Sequence, residues 1–361
     1  MEEWRTYKLG DILTIKYGKD HKSLSDGPVP AFGSGGVMRY VEKPIFDKPS
    51  ILIPRKGSLN NVVYIDKPFW TVDTMFWTII DTSIVIPHFL YYSIRDIDFA
   101  SLNVGSAVPS LTCPVIESIE VSIPSLDTQR KILDFLEPID DKIAINNRIN
   151  HNLLDIAQGL FDTQIVESAN YQDNWSKSSL LGIADYLNGL AMQKYPIING
   201  ESGLPVLKIK ELGQQACDES SDRCTASIPK QFIVEDGDII FSWSGTLHVD
   251  YWCGGMCGLN QHLFKVSSNK YPSWFVYFWT KHHLDRFIRI ARDKAVTMGH
   301  IKRGDLENAE AIIPDASYLN ALDNEIRPLV TEYIERRIEN RKLQMLRDSI
   351  LPELMAGHLT C

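Results

Sequence analysis

The sequence lacks any run of about 18 apolar residues without a charge, although 44% of its residues are hydrophobic. Its most apolar stretch, MFWTII followed by SIVIPHFLYYSI, is interrupted by Asp81 and Pro87. No membrane-spanning helix is therefore expected. The beginning, MEEWRTYKLGD, is polar and acidic, unlike a signal peptide. These features predict a cytoplasmic protein.

Cysteine is sparse, with six residues in 361. Without a secretion signal, reduced thiols are expected rather than disulfides. Four cysteines in the second half are the candidates for zinc ligands: Cys217, Cys224, Cys253 and Cys257. Their spacing fits common zinc patterns poorly. Ordinary buried or surface thiols, and no metal site, are the preferred interpretation.

Basic excess and catalytic motifs are also missing. Lys and Arg number 37 against 46 Asp and Glu, a net charge of −9, which argues against a polybasic nucleic-acid binder. There is no Asn-Pro-Pro-aromatic run, no Walker motif and no Pro-Asp…Glu-x-Lys nuclease set. The GSGG stretch at 33–36 is not followed by a P-loop lysine. No catalytic residue is predicted.

A long amphipathic helix is predicted for residues 126–164. At about 1.5 Å per residue it is about 58 Å long, more than a globular core needs. Its stripe has alternating steps of about four and three residues. The stripe residues are Ile132, Leu136, Ile139, Ile143, Asn146, Asn150, Leu153, Ile156 and Leu160.

A partner helix lies near the end of the chain. Adding 190 to each position gives a second stripe: Leu322, Ile326, Leu329, Tyr333, Arg336, Asn340, Leu343, Leu346 and Ile350. We expect the two helices to form an antiparallel coiled coil, with Asn146 and Arg336 near its middle as polar residues that specify register. The alternative is two unrelated amphipathic helices.

The repeat extends into the globular segments. ILIPRKGSLNNVVY from Ile51 matches IIFSWSGTLHVDYW from Ile239, so Gly57 corresponds to Gly245 at an offset of 188; Ala107-Val108 and Ala295-Val296 keep that offset. Short β-rich runs and a helix in each half predict a mixed α/β fold with two globular domains. The expected boundaries are a first domain at 1–125, a helix at 126–166, a second domain at 167–314 and a second helix at 315–361.

Several phrases resemble the specificity subunit of type I restriction–modification enzymes. PAFGSGGVMRYVEKPIFDKPSILIPRKG (Pro30 to Gly57) is similar to the opening of a target-recognition domain. NVGSAVPSLTCPVIESIEVSIPSLDTQRKILDFL is similar to the first conserved region. LNQHLFKV (Leu259 to Val266) and LRDSILPELMAGHL (Leu346 to Leu359) are similar to the second domain and the C-terminal end. Their order covers nearly the whole chain.

The resemblance implies a non-catalytic DNA reader in a bacterium or archaeon. Each domain would read one half of a bipartite double-stranded target, and the helices would set the gap. Two methyltransferase subunits carrying S-adenosylmethionine, and then translocase/nuclease subunits, would bind to it. The alternatives are a single-chain methyltransferase or nuclease, and a helical scaffold that does not bind DNA.

Candidate DNA-binding residues lie in polar or basic turns. Arg pairs bidentately with guanine, and Asn with adenine, in the major groove. The alternative for the first turn is a solvated hairpin tip. The candidates are Arg39, Tyr40, Arg55, Lys56, Ser58, Asn60, Asn61, Ser242, Ser244, Thr246, His248, His300, Lys302 and Arg303.

Overall fold

The computed structural model describes residues 4–105, 108–168, 174–198, 200–293 and 299–357. The repeated residues Ala107, Ala295 and Val296, and also His358, Leu359 and Cys361, lie outside these ranges. The chain divides into two compact units. Unit 1 comprises Met1–Asp140 and Leu346–Cys361, and unit 2 comprises Asp141–Met345.

Short strands occur in both units, as the β-branched and aromatic runs predict. Unit 1 contains β1 (Arg5–Lys8), β2 (Leu13–Tyr17), β3 (Val29–Gly33), β4 (Gly36–Val41), β5 (Ser50–Pro54), β6 (Val63–Ile65), β7 (Trp70–Thr71), β8 (Met75–Ile80) and β9 (Glu120–Ile123). Unit 2 contains β10 (Ser176–Ser179), β11 (Asp185–Asn188), β12 (Leu204–Leu207), β13 (Arg223–Cys224), β14 (Ile233–Val234), β15 (Ile239–Ser242), β16 (His248–Tyr251), β17 (Cys257–Leu259), β18 (Leu263–Ser267) and β19 (Glu310–Ile313).

Short helices accompany the strands, and two long helices contribute residues to both units. The helices in chain order are α1 (Leu9–Ile12), α2 (Pro87–Ile94), α3 (Cys113–Glu117), α4 (Leu126–Phe161), α5 (Leu180–Ile183), α6 (Ile209–Gln214), α7 (Ser273–His282), α8 (Leu284–Asp293), α9 (Arg303–Glu307) and α10 (Ala316–Met355). A π-helical turn, Asp162–Val166, follows α4, and 3-10 turns occupy Met192–Lys194 and Lys230–Phe232.

The two units share most of their sheet topology, although the second sheet has three strands in unit 1 and four in unit 2. The main sheet has the strand order β2-β8-β5-β6 in unit 1 and β11-β18-β15-β16 in unit 2. A second sheet contains a parallel pair, β3 with β7 and β12 with β17. The pair β1–β9 corresponds to β10–β19. The predicted α/β fold with an internal repeat is confirmed.

Gln129, the fourth residue of α4, is fully buried in unit 1. Its Oε1 accepts a hydrogen bond from the backbone N of Ile86 at 2.8 Å, and its Nε2 donates to the carbonyls of Ile84 and Pro124 at 3.0 and 2.9 Å. One side chain therefore satisfies three backbone groups where the loop before α2 meets the start of α4. Such a buried amide is costly to remove.

In unit 2 the two long helices run antiparallel. Tyr318, near the start of α10, donates to the backbone O of Gln164 just after α4, while Arg336 contacts Asn146 further along both helices. Most stripe positions are buried or half-buried here: Ile143, Asn146, Asn150, Leu153, Leu160, Leu322, Ile326, Leu329, Tyr333, Arg336, Asn340 and Leu343.

One predicted stripe position in unit 2 needs correction. Ile156 is 53% exposed, and Ala157 and Phe161 are buried instead. An α-helix has 3.6 residues per turn, so a strict 3.5-residue spacing drifts around the helix by about 20° per heptad. The contact face has therefore moved by one residue at this point.

In unit 1 the same drift affects the end of α10. Ile132 and Leu136 are buried, and Ile139 and Ile350 are half-buried. Leu346, which the offset places on the stripe, is 50% exposed. Leu351 and Leu354 are buried instead. They pack in the same hydrophobic cluster as Ile132, Leu133 and Leu136 of α4.

Candidate nucleic-acid interface

Three loops converge at one end of the main sheet in unit 1: residues 55–58, 72–75 and 109–111, here termed loop cluster 1. The backbone N of Arg55 donates to Thr74 O at 2.8 Å, Gly57 N donates to Pro109 O at 3.1 Å, and Leu111 N donates to Arg55 O at 2.9 Å. Gly57 has φ +88°, which favours glycine at this turn. The turn after β5 is thus held on two sides by backbone hydrogen bonds.

Unit 2 contains the same arrangement in residues 243–246, 260–263 and 299–301, here termed loop cluster 2. Trp243 N donates to His262 O at 3.4 Å, Gly245 N to Gly299 O at 3.0 Å, and Ile301 N to Trp243 O at 3.1 Å. Gly245 has φ +66°. Gly57 and Gly245 therefore correspond in structure as well as in sequence, and so do the three loops around each of them.

The side chain of Arg55 is fixed by contacts within unit 1. Its Nη1 donates to Asp73 O at 3.0 Å, and its guanidinium lies 5.4 Å from the ring centroid of Tyr17. A guanidinium placed against a carbonyl and an aromatic face loses little further entropy on binding a base or a phosphate. Lys56 is half-exposed and Ser58 exposed on the same turn.

Asn60 and Asn61 use their amides within unit 1. Asn60 Nδ2 donates to Asp98 Oδ1 at 3.1 Å, and its Oδ1 accepts from Ala100 N at 2.8 Å. Asn61 Nδ2 donates to Ser34 O at 2.9 Å, which joins the turn to the tip between β3 and β4. Both residues therefore shape the surface, and a base contact by either would compete with these bonds.

Arg39 and Tyr40 lie on β4. Arg39 Nη2 donates to Asp26 Oδ1 at 2.5 Å and to Leu24 O at 3.2 Å, so its charge is already paired. Tyr40 is 55% exposed. The hydrogen bonds of Arg39 within the described residues lead to the loop before β3, not to loop cluster 1.

In unit 2, two of the predicted serines point inward. Ser242 is fully buried; its Oγ donates to Thr246 O at 2.5 Å and accepts from His248 N at 2.9 Å, which closes the β15–β16 hairpin. Ser244 is 4% exposed, with its Oγ 3.1 Å from His262 Nδ1. Thr246 is exposed and His248 half-exposed. The hairpin hydroxyls are thus engaged internally.

The basic residues of unit 2 lie at the third loop of loop cluster 2. His300 is exposed, and its backbone bridges to Ser244 while its ring lies 6.3 Å from that of Trp243. Lys302 is the exposed N-cap residue of α9, and its backbone N donates to Asp305 Oδ2 at 2.8 Å. Arg303, exposed, begins α9. The structure therefore brings these three residues beside the hairpin turn.

The middle loop of each cluster, 72–75 and 260–263, is not among the turns that the sequence singles out as candidates. Gln261 and His262 lie in it, within the LNQHLFKV phrase. The available signal was the 188-residue offset, which aligns Gln261 with Asp73 beside the Arg55 turn. Glycine at position 57 indicates a tight turn, whereas a glutamine and a histidine at 261 and 262 do not by themselves indicate a functional loop.

A buried ion pair holds α10 against the sheet of unit 2. Arg337 Nη1 lies 2.9 Å from Asp250 Oδ1 on β16 and 2.7 Å from the Tyr333 hydroxyl. Burial raises the pKa of the Asp250 carboxyl, but the hydrogen bond from His248 and the charge of Arg337 outweigh burial, so that pKa lies below its ordinary value. Arg341 pairs with Asp236 at 2.6 Å on the same helix.

No metal or membrane feature appears in the part of the chain that the structure describes. Cys113, Cys217, Cys224, Cys253 and Cys257 are free thiols. No group of three or more His, Cys, Asp or Glu side chains in the described ranges is arranged to hold a metal ion. None of the described helices is both long and apolar enough to cross a membrane.

Comparison with known proteins indicates one class. Residues 1–154 match the family model "Type I restriction modification DNA specificity domain". The specificity subunit of the type I restriction enzyme MjaIX, from Methanocaldococcus jannaschii, is 25% identical over 343 residues, which cover 87% of this chain and 78% of that protein. The HindI specificity subunit from Haemophilus influenzae is 35% identical over 194 residues, covering 46% of this chain and 42% of that protein.

A solved structure has the same fold. The S subunit of a type I restriction–modification system from M. genitalium matches with a TM-score of 0.59 and 15% identity, over 98% of this chain and 96% of that one. The chain is thus similar to the specificity subunits of type I restriction–modification enzymes, and the resemblance seen in its motifs is confirmed. The prediction of a DNA-recognition subunit is confirmed with it, and the matches favour neither alternative.

Proposed function

We propose that loop cluster 1 and loop cluster 2 are the DNA-reading surfaces, and that each reads one half of a bipartite target. The observation that carries this proposal is the repeated set of three backbone hydrogen bonds, which builds the same loop cluster in each unit. Each cluster also has cations on or beside it, Arg55 and Lys56 in one, Lys302 and Arg303 in the other. Phosphate contacts from such residues position a protein on DNA, and base contacts specify the site.

The long helices set the distance between the two half-sites. α4 has 36 residues and α10 has 40, and the polar contacts of Asn146 give them one register. Two readers on one face of B-DNA need half-site centres about one helical turn, or ~10 bp, apart. The target then has an unread gap of roughly 5–8 bp by the same geometry.

The chain contributes recognition, and partner subunits contribute chemistry. Two methyltransferase subunits that carry S-adenosylmethionine bind the helices, and addition of translocase/nuclease subunits produces restriction. Apolar side chains remain exposed on these helices: Phe135 on α4 in unit 1, and Ile145 on α4 and Met345 on α10 in unit 2, are 50–65% exposed. Such side chains are suited to contact with a protein partner. The partners also share the neutralisation of phosphate, which offsets the net charge of −9.

Sequencing of methylated adenines in cells with and without the gene tests this function. We expect deletion to abolish methylation at one bipartite motif with a fixed gap, and the wild-type gene to restore it. If deletion removes no bipartite motif while the partner methyltransferase genes are expressed, the proposal is wrong. Methylation of DNA by the purified chain alone would instead favour the single-chain enzyme.

A further inference from the structure

A groove lined by both polar and apolar side chains in unit 2 adjoins loop cluster 2. It has a volume of about 680 Å³ and lies where β12 ends, beside the loop 260–262. Its lining includes Gln193, Lys208, Lys210, Arg223, Gln261 and His262. We name this set of residues the amide groove.

The amide groove is continuous with the turn that aligns with the Arg55 turn. His262 belongs to both, because its Nδ1 lies 3.1 Å from Ser244 Oγ and its ring centroid lies 6.0 Å from that of Trp243. A duplex placed against loop cluster 2 therefore also meets the mouth of the groove.

Loop cluster 2 itself offers little for direct base reading from its turn. Ser242 and Ser244 are buried and hydrogen-bonded inside the unit. Trp243 takes the position that aligns with Arg55, and its Nε1 donates to Asn188 Oδ1 at 2.9 Å. The groove supplies what the turn lacks, since Gln193 is exposed and Gln261 half-exposed at its wall.

The cations of the groove are held at its rim. Lys208 pairs with Asp222, and Lys210 Nζ lies 2.7 Å from Ser220 Oγ and 3.6 Å from Asp218. Arg223 donates to the carbonyls of Ser202 and Gly203, with the shortest bond at 2.6 Å. The carboxylates offset part of this charge, so the groove is suited to a polar ligand flanked by few phosphates rather than to a free polyanion.

Unit 1 is built differently at the corresponding place. β3 passes through Ser34 and Gly35 directly into β4, and Asn61 donates to the carbonyl of Ser34 at this tip. In unit 2, β12 is followed by α6 before the chain reaches β13. The extra helix and the longer segment before β12 form the wall that makes the groove.

We propose that the amide groove reads base edges in the half-site of unit 2, through Gln261 and Gln193, while Lys210 contacts a flanking phosphate. A glutamine amide both donates and accepts, which matches N7 and N6 of adenine in the major groove. This inference rests on the proposed function. It adds that the two half-sites are read by different chemistry, with an arginine turn in unit 1 and amides in unit 2.

The test uses the complete complex with its methyltransferase subunits and a library of randomised targets. We expect Gln193→Ala with Gln261→Ala to relax base preference about tenfold at one or two positions of one half-site only. Gln261→Glu, of the same shape, is expected to change the preferred base at one position, because a carboxylate accepts but cannot donate. Lys210→Ala is expected to weaken binding to all targets without altering the motif.

Gln231→Ala, an exposed glutamine of unit 2 outside the groove lining, is the matched control and is expected to leave the motif unchanged. Gel filtration of each variant complex reports assembly. An unchanged motif for both Gln193→Ala with Gln261→Ala and Gln261→Glu, in complexes that assemble, overturns the inference while the proposed function stands. Failure of the wild-type complex to methylate any bipartite target contradicts the proposed function itself.

Discussion

Arg336 Nη1 donates a hydrogen bond to Asn146 Oδ1 at 2.9 Å, inside the contact between α4 and α10 in unit 2. The Asn146 amide nitrogen donates in turn to Glu339 Oε2 at 2.7 Å and to Asn340 Oδ1 at 2.8 Å. Asn146 is fully buried. A sliding of one helix by a turn would break all three bonds, so this residue selects the register as well as stabilising it.

Asn146→Ala is expected to lower the free energy of unfolding by about 1–3 kcal/mol, because it leaves the buried side chain of Asn340 and the half-buried side chain of Arg336 without this hydrogen-bond partner. Urea unfolding of the full chain, followed by circular dichroism, measures this. Asn152→Ala, at an exposed position of the same helix, is the control and should change stability by less than about 0.5 kcal/mol. Equal effects of the two substitutions would show that the buried amide does not select the register.

Asp250→Asn is expected to destabilise the chain by about 3–5 kcal/mol at neutral pH, since it leaves Arg337 buried without its partner. The pKa of Asp250 is lower in the folded state than its ordinary value of 3.8. Its contribution to stability is therefore complete above that value and is lost as the pH falls through the lower folded-state pKa.

The difference in unfolding free energy between wild type and Asp250→Asn should consequently shrink as the pH falls below 3.8. Urea unfolding at a series of pH values measures this. Asp285→Asn, at an exposed site of unit 2, is the control. A difference that stays constant down to the acid limit would exclude the ion pair as its source.

Lys302→Ala is expected to weaken DNA binding by the assembled complex on all sequences and to reduce the dependence of log K on log salt by about one. Lys270→Ala is the matched control, because Lys270 is also exposed but follows the opposite end of β18 from loop cluster 2. Fluorescence anisotropy at several salt concentrations checks both variants. If Lys302→Ala and wild type have the same dependence of log K on log salt, Lys302 does not contact a phosphate.

Arg55→Lys is expected to relax the base preference in the half-site of unit 1, at a cost of about 1–3 kcal/mol for the preferred base. Lysine keeps the positive charge but lacks the planar guanidinium. Only a guanidinium has enough fixed N–H donors to bond a guanine edge while it also donates to Asp73 O. Methylation of targets varied at single positions measures this preference. If the motif is unchanged in an assembled complex, Arg55 does not read a base, and its role is the structural hydrogen bond with Asp73.

Deletion of one heptad from each long helix tests the spacing role. The deletions lie between Asn146 and Phe161 in α4 and between Leu319 and Arg336 in α10, so the polar contacts of Asn146 remain. Seven residues correspond to about 10 Å of helix, or roughly 3 bp of DNA. The methylated motif should have a gap shorter by that amount, or methylation should be lost; an unchanged gap contradicts the proposal.

The long helices and the repeat were predictable because both depend on local spacing. Apolar residues at steps of three and four specify a helix with one apolar face. The 190-residue offset shows that a second helix has a matching apolar face. The stripe failed at Ile156 and Leu346, where a constant 3.5-residue step departs from 3.6-residue geometry. Asn146 and Arg336, the polar residues on the two stripes, form a hydrogen bond with each other.

The candidate site was less predictable. Alternation along the β15–β16 hairpin does not reveal which side faces the rest of unit 2, so Ser242 and Ser244 were assigned to a surface and lie buried instead. The 260–263 loop was not predicted as part of the site, because its place there depends on a hydrogen bond between Trp243 and His262, which are 19 positions apart. Neither error can be corrected from residue type alone.

By itself the sequence predicted the helix pair, its polar residues and the doubling of the α/β unit, because these follow from periodicity and repeated motifs. The class of protein came from the resemblance of its phrases to a known family. Only the tertiary structure decided which side chains of these turns are exposed and which are buried. Backbone hydrogen bonds between distant loops, such as Gly57 with Pro109 and Gly245 with Gly299, select the outward face of each turn. The groove beside His262 likewise exists only where α6 and the 260–263 loop meet.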